Sequence, residues 1–180
     1  MDVAVLPGDG IGPEIMEQAV RIIEFMIEHR NADINLVHAP FGAQAYFQYG
    51  DSFPEETKKV CDNASAILKG PVGLSYSETK TIPVEFQPER GAILPLRKRY
   101  DTYANLRPAY ISAKMSHFSP LKKSIIPDGI DFIIVRELVG GLYFGHKDRG
   151  TKNGERFVEE TLEYSENQIQ RILRVAFDLA

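Results

Sequence analysis

The sequence predicts an α/β fold, a mostly parallel sheet covered by helices, and three observations carry that expectation. Short apolar runs and helix-period segments alternate as β-α-β-α-β from Val3 to Leu68, each pair separated by glycine or polar turns. The first run, Val3 to Leu6, stops at Pro7 and Gly8, the punctuation of a buried strand entering a turn. Hydrophobic residues make up 43% of the 180, ordinary globular content and enough for a packed core.

A helix is expected after the Gly8–Gly12 turn. Pro13 suits its first turn, Glu14 complements its N-terminal dipole, and Ile15, Ala19, Ile22, Ile23 and Met26 recur at helical spacing. Ile34 to Ala39 reads as the second strand, Pro54 to Asn63 as a helix opening on two glutamates, and Ser65 to Leu68 as the third strand. That strand enters a glycine-rich turn at Gly70 to Gly73, and ligands of parallel α/β sheets bind at such carboxyl-end turns. Pro71 to Pro95 carries four prolines and little periodicity, so it reads as a long loop. Asp101 to Ile111 and the strongly apolar Ile130 to Val135 read as strands, and Gly140-Gly141 as a turn into Leu142 to Phe144. Lys147 to Glu155 reads as a charged loop. Asn167 to Ala180 has helical spacing in Ile169, Ile172, Leu173, Ala176 and Phe177, and reads as a helix cut short.

The net charge of −4 argues against a nucleic-acid or anionic-membrane surface, which reward a basic excess. No run reaches the length of a membrane span and no signal-peptide pattern opens the chain, so a cytoplasmic location is expected. The single cysteine, Cys61, rules out an internal disulfide framework and reads as a half-buried helix residue. His29, His38, His117 and His146 lack any spacing that would gather them round a metal, so no metal ligand is assigned.

Anion chemistry must then fall to local arginines. Arg97 follows the apolar Ile93, Leu94 and Leu96, which would place it at the edge of a greasy pocket. Arg107 precedes Pro108 and is therefore pushed toward extended backbone, with Tyr103 and Asn105 on its face and Ala104 and Leu106 turned inward. Two guanidinium forks aimed at one space suit a ligand with two carboxylates. Taken alone, they read as solvated surface arginines beside Lys98 and Arg99. Arg136 and Glu137 leave an apolar strand and need a partner or a ligand; a structural pair is the plain alternative. Tyr143 read alone is a sheet tyrosine, and Ile93 and Leu94 read alone are core residues. Gly8, Gly10 and Gly12, followed by Pro13, miss the dinucleotide G-x-G-x-x-G spacing, and no acidic residue ends the second strand. This turn is either a tight strand-to-helix connection or a ligand loop.

Four motifs in order, GDGIGPE at Gly8 to Glu14, LPLR at Leu94 to Arg97, YANLRP at Tyr103 to Pro108 and VRELVGGLYFG at Val135 to Gly145, resemble the isocitrate/isopropylmalate family of β-decarboxylating dehydrogenases. The similarity runs the whole length of this chain but covers only about the first half of that family's. It implies a mixed sheet with flanking helices whose C-terminal half is absent. Residues 1–99 would be the first part of a cofactor-side domain and 100–180 the first part of a substrate and dimerisation domain.

The resemblance further implies oxidative decarboxylation of 3-isopropylmalate with NAD, a step of leucine biosynthesis, aided by Mg2+ or Mn2+ bound in the absent half. That half would also bring the metal-binding aspartates, a catalytic lysine and the adenosine site, and the full-length form would be a homodimer. Arg97, Arg107 and Arg136 would hold the two carboxylates of a small-molecule substrate. Tyr143 would be the general acid, and Ile93 and Leu94 the pocket for a branched alkyl group. Ile11, Gly70, Val72 and Gly73 would line the cofactor cleft. Isocitrate-specific relatives carry a serine in this pocket, and no serine occurs between Gly91 and Arg97. Val139 stands where the family pattern has threonine, which removes a hydroxyl but no charge. Homoisocitrate- or tartrate-type dehydrogenases, and a truncated non-catalytic interaction module, are the alternatives.

Overall fold

Val3, Ala4, Val5 and Leu6 are all buried, as the middle strand of a parallel sheet must be when both its faces are covered. They form β1 (Asp2–Leu6), flanked by β2 (Asn35–His38) and β3 (Ala66–Lys69) in the order β2-β1-β3. Val3 stands opposite Leu36 on one side and Ala66 on the other. The computed structural model describes residues Met1–Ala180, which divide into two compact units, Met1–Arg99 and Tyr100–Ala180.

Helix α1 (Gly12–Arg30) has Pro13 in its first turn and ends at Asn31, whose φ of 53° is left-handed. The face it buries is only partly the one the apolar spacing indicates: Ala19 and Ile23 are half-buried as expected. Met16 and Val20 pack on Val5, Leu36 and Leu68, whereas Ile15, Ile22 and Met26 are 46%, 67% and 43% exposed. The cause lies at Gly12, where a Cβ would stand 2.5 Å from the Pro7 carbonyl oxygen. That close approach fixes the rotation of the helix, and positions 16 and 20 follow Gly12 at four-residue steps onto the sheet.

Helix α2 (Ala43–Tyr49) has no counterpart among the sequence expectations. It buries Ala43 and Ala45, and Phe41 and Phe53 meet edge to face in front of it at 5.4 Å between ring centroids. Helix α3 (Glu55–Asn63) opens on Glu55 and Glu56 as expected. Cys61 within it is fully buried rather than half-buried, at 3% exposure.

The expected loop from Pro71 to Pro95 is more ordered than its prolines indicate. It holds a short helix, α4 (Tyr76–Thr79), closed by a Ser75–Glu78 capping box, and a 3-10 turn at Val84–Phe86. A π-helical turn, Pro88–Ile93, then runs directly into α5 (Leu94–Arg99). Leu94 N–H donates five residues back to Glu89. Pro95 has no N–H and its ring would crowd the carbonyl four residues earlier; the wider π turn carries a proline where a regular helix would break.

In the second unit, β4 (Ala104–Ser112) and β5 (Gly129–Glu137) form an antiparallel pair in which Asn105 faces Arg136 and Arg107 faces Ile134. Leu106 does not turn inward as expected: it is 47% exposed, and Phe132, Ile133 and Ile134 are similarly open. A sheet of two strands leaves these side chains without a covering layer. The charged loop expected at Lys147 to Glu155 is instead a hairpin of β6 (Lys147–Lys152) and β7 (Glu155–Glu160). Asn153 and Gly154 turn it with φ of 55° and 82°, the Asn-Gly geometry of a type I′ turn that a reading of charge alone misses. Helix α6 (Glu166–Leu179) begins at a Ser165–Gln168 capping box. No helix is long and apolar enough to cross a membrane.

Candidate functional site

In the first unit the candidates gather on the turns that leave β1 and β3. Asp9, 2% exposed, takes three backbone N–H groups on its carboxylate: Ala43 at 2.9 Å and Gly73 at 3.1 Å on Oδ2, and Gln44 at 2.9 Å on Oδ1. Its own N–H donates to the Pro71 carbonyl at 2.9 Å. The two glycine turns are thus tied by side chain and backbone together. Ile11, on the tip of the first turn, is 61% exposed. Val72 and Gly73 are half-buried in the second. Gly70 is buried, and a Cβ there would collide with the Pro7 carbonyl oxygen at 2.1 Å. It shapes this rim from beneath rather than lining it.

Helix α5 carries Leu94 and Arg97 three positions apart, so both lie on one face, and both are half-buried together with Ile93. Arg99 turns elsewhere, its fork gripping Asp62 at 2.9 and 2.5 Å. Lys69, at the end of β3, donates from Nζ to the Gly70 carbonyl at 2.6 Å. Burial, and then the nearby positive charge of Arg97, hold its ammonium below the usual lysine value of 10.5, with Asp9 opposing. A cation whose folded pKa is lowered binds fewer protons folded than unfolded, so its charge opposes folding below the folded pKa and that penalty fades as pH rises toward 10.5. The expected result is that wild type gains stability relative to Lys69→Met across this upper pH range, measured by urea unfolding. Parallel pH profiles for the two proteins would contradict it.

In the second unit β5 delivers Arg136 and Glu137 side by side, but they do not pair. The Glu137 carboxylate closes the following turn instead, accepting Gly140 N–H at 2.8 Å and Val139 N–H at 3.1 Å, with Arg171 Nη2 at 3.8 Å. Arg171 is itself gripped by Asp101 at 2.6 and 3.0 Å and lies over the Tyr103 ring at 4.2 Å. Gly140 and Gly141 are buried against Tyr164, where a Cβ on either would come within 2.8 Å of that ring. The 3-10 turn Gly141–Tyr143 then presents Tyr143, 50% exposed, so it is not a sheet tyrosine. Arg136 and Tyr143 line one cleft of about 520 Å³ together with Leu142 and Tyr164. No hydrogen bond or ion pair within the chain holds the half-buried Arg136 guanidinium, an uncommon state for such a group.

Arg107 is exposed, and its Nε donates to Asn105 Oδ1 at 2.6 Å. Because Asn105 faces Arg136 in the ladder and Arg107 lies two residues on, Arg107 and Arg136 share one face as diagonal neighbours. The second unit therefore groups Arg107, Arg136 and Tyr143, and the first groups Ile93, Leu94 and Arg97 on one segment and Ile11, Gly70, Val72 and Gly73 on another. Asp9, which holds the turns of the first unit, is absent from the sequence expectations, and Glu137 enters them only as a partner for Arg136, not as the acceptor that closes the next turn. An Asp between two glycines, and a Glu two residues before Val139-Gly140, are acceptor-in-a-turn signals that would have pointed to both.

Residues 2–180 match the family described as isocitrate/isopropylmalate dehydrogenase. The chain belongs to that family. It is 42% identical over 179 residues to the 3-isopropylmalate dehydrogenase of Carboxydothermus hydrogenoformans, covering 99% of this chain and 47% of that protein. Identity is 43% over 178 residues with the enzyme of the same name from Moorella thermoacetica, covering 99% and 49%. The chain spans about half the length of the curated relatives it matches. Among solved structures, isocitrate dehydrogenase from Methylococcus capsulatus superimposes with a TM-score of 0.75 at 25% identity, covering 99% of this chain and 47% of that one. The TT0538 protein of Thermus thermophilus does so with 0.73 at 30%, covering 99% and 32%.

Proposed function

We propose that this chain forms the first half of an NAD-dependent dehydrogenase that oxidises and decarboxylates 3-isopropylmalate. The observation that supports this most is the unpaired Arg136 guanidinium lining one cleft with Tyr143, an anion grip beside a proton donor, in a chain about 40% identical to 3-isopropylmalate dehydrogenases along its whole length. In this reading the first unit is the cofactor side, with Ile11, Val72 and Gly73 as its rim and Gly70 beneath. The second unit is the substrate side and, in the full-length form, the seat of a homodimer.

Arg97, Arg107 and Arg136 grip the two carboxylates of the substrate, each guanidinium able to make two parallel hydrogen bonds. Ile93 and Leu94 receive its branched alkyl group, where an apolar wall rewards methyl groups and offers nothing to a third carboxylate. NAD, when bound, supplies the hydride acceptor; the uncharged Ile11, Val72 and Gly73 rim fits a flat ring better than a phosphate. The oxidised substrate loses carbon dioxide, and Tyr143 delivers a proton to the carbon of the resulting enolate. The resemblance also implies a divalent ion. These 180 residues place no group of three or more His, Cys, Asp or Glu side chains able to hold one, and no step here is derived through it.

The test is to fuse this chain through Ala180 to the second half of the C. hydrogenoformans relative, giving a completed chain, and to follow NAD reduction. Turnover with 3-isopropylmalate in preference to isocitrate is expected. Leu94→Ser is expected to move that preference toward isocitrate by about tenfold or more, the scale of one altered pocket contact. A completed chain that reduces NAD with neither acid, or a Leu94→Ser variant with unchanged preference, would sink the reaction and the pocket assignment respectively.

A further inference from the structure

The buried charge in the first unit that the proposed chemistry does not use is Asp9. It serves as a node: its N–H binds Pro71, its carbonyl accepts Gly12 N–H at 2.8 Å, and its carboxylate holds Gly73 and both Ala43 and Gln44 at the start of α2. The surroundings are cut to fit it. Gly42 has a φ of 86°, and a Cβ there would stand 2.4 Å from Asp9 Oδ2. Gly8 approaches so closely that a Cβ would meet the Pro71 carbonyl oxygen at 2.0 Å. A carboxylate with almost no contact with water and three N–H donors is a strong tie, because each bond is charge-assisted and cannot be replaced by solvent.

We infer that Asp9 is a positioning residue for cofactor binding: it sets where Val72 and Gly73 stand relative to Ile11, and so the shape of the rim that receives the nicotinamide end of NAD. This rests on the cofactor reading of that rim. Asp9 does not touch the ligand; it acts through the Gly73 amide and the β1–α1 turn. The carboxylate geometry makes the dependence graded. Oδ2 serves two amides and Oδ1 one, so an asparagine oriented with its oxygen on the Oδ2 side keeps Ala43 and Gly73 and turns its NH2 against Gln44 N–H. Alanine loses all three.

The experiment uses the completed chain, with Asp9→Asn and Asp9→Ala, at a temperature where both remain folded. Asp9→Ala is expected to raise the KM for NAD by about tenfold or more, the loss of a charge-assisted tie, while the KM for the dicarboxylate stays within about threefold. Asp9→Asn is expected to keep the NAD KM within about threefold of wild type, with faster hydrogen exchange at the Gln44 amide but not at Gly73. That variant keeps the test alive should alanine not fold. Equal rises in both KM values, a fall in kcat alone, an unchanged NAD KM in Asp9→Ala, or fast exchange at Gly73 in wild type would each overturn the positioning role. Absence of any NAD-dependent turnover in the wild-type completed chain would instead bring down the cofactor reading, and this role with it.

Discussion

Replacing Tyr143 by phenylalanine in the completed chain is expected to lower kcat by about 10²- to 10⁴-fold, the usual contribution of a positioned proton donor. The ring stays, so the wall it shares with Leu142 and Tyr164 keeps its shape and the KM for the dicarboxylate changes little. In the proposed reaction the lost step comes after hydride transfer. A rapid first equivalent of NADH should therefore still appear in stopped-flow, followed by slow turnover. A variant with unchanged steady-state kcat would remove Tyr143 from the mechanism, and loss of the burst along with kcat would move it to an earlier step.

Arg136→Leu should cost more in recognition than in stability, and the contrast is the point of the experiment. Losing one partner of a hydrogen-bonded charge pair costs about 2–5 kcal/mol, which is about 30- to 4,000-fold in kcat/KM for the dicarboxylate. Lysine should recover only part of this, since it offers a point charge in place of a fork. No side chain within the protein depends on this guanidinium, so Tm should fall by no more than a surface substitution would cause. A large drop in Tm with kcat/KM preserved would mark Arg136 as a structural group. By contrast, Glu137→Gln with its oxygen on the Gly140 side turns its NH2 toward Val139 N–H and the Arg171 guanidinium, and belongs with the stability variants.

The parallel sheet was legible because its signals are local. Val3–Leu6 is apolar at every position, Pro13 and Glu14 announce a helix, and Gly70 ends the third strand; each follows from backbone preference within a few residues. Arg107 and Asn105 share a face because a strand alternates every second residue, which their 2.6 Å hydrogen bond reflects. The β6–β7 hairpin was legible too, through Asn153-Gly154, but its many charges pointed to a loop.

What the linear sequence determined by itself was the family, carried by four motifs in order, and the positions of β1 to β5 and of helices α1, α3 and α6. Tertiary structure alone decided which part of the apolar stripe of α1 is buried, because the rotation of the helix is set where Gly12 meets Pro7. It alone decided that Glu137 serves the turn and leaves Arg136 unpaired, and that Asp9 binds residues 34, 35 and 64 positions away. Periodicity reports only what lies within a few residues along the chain, whereas a buried carboxylate is satisfied by whichever N–H groups the fold brings to it.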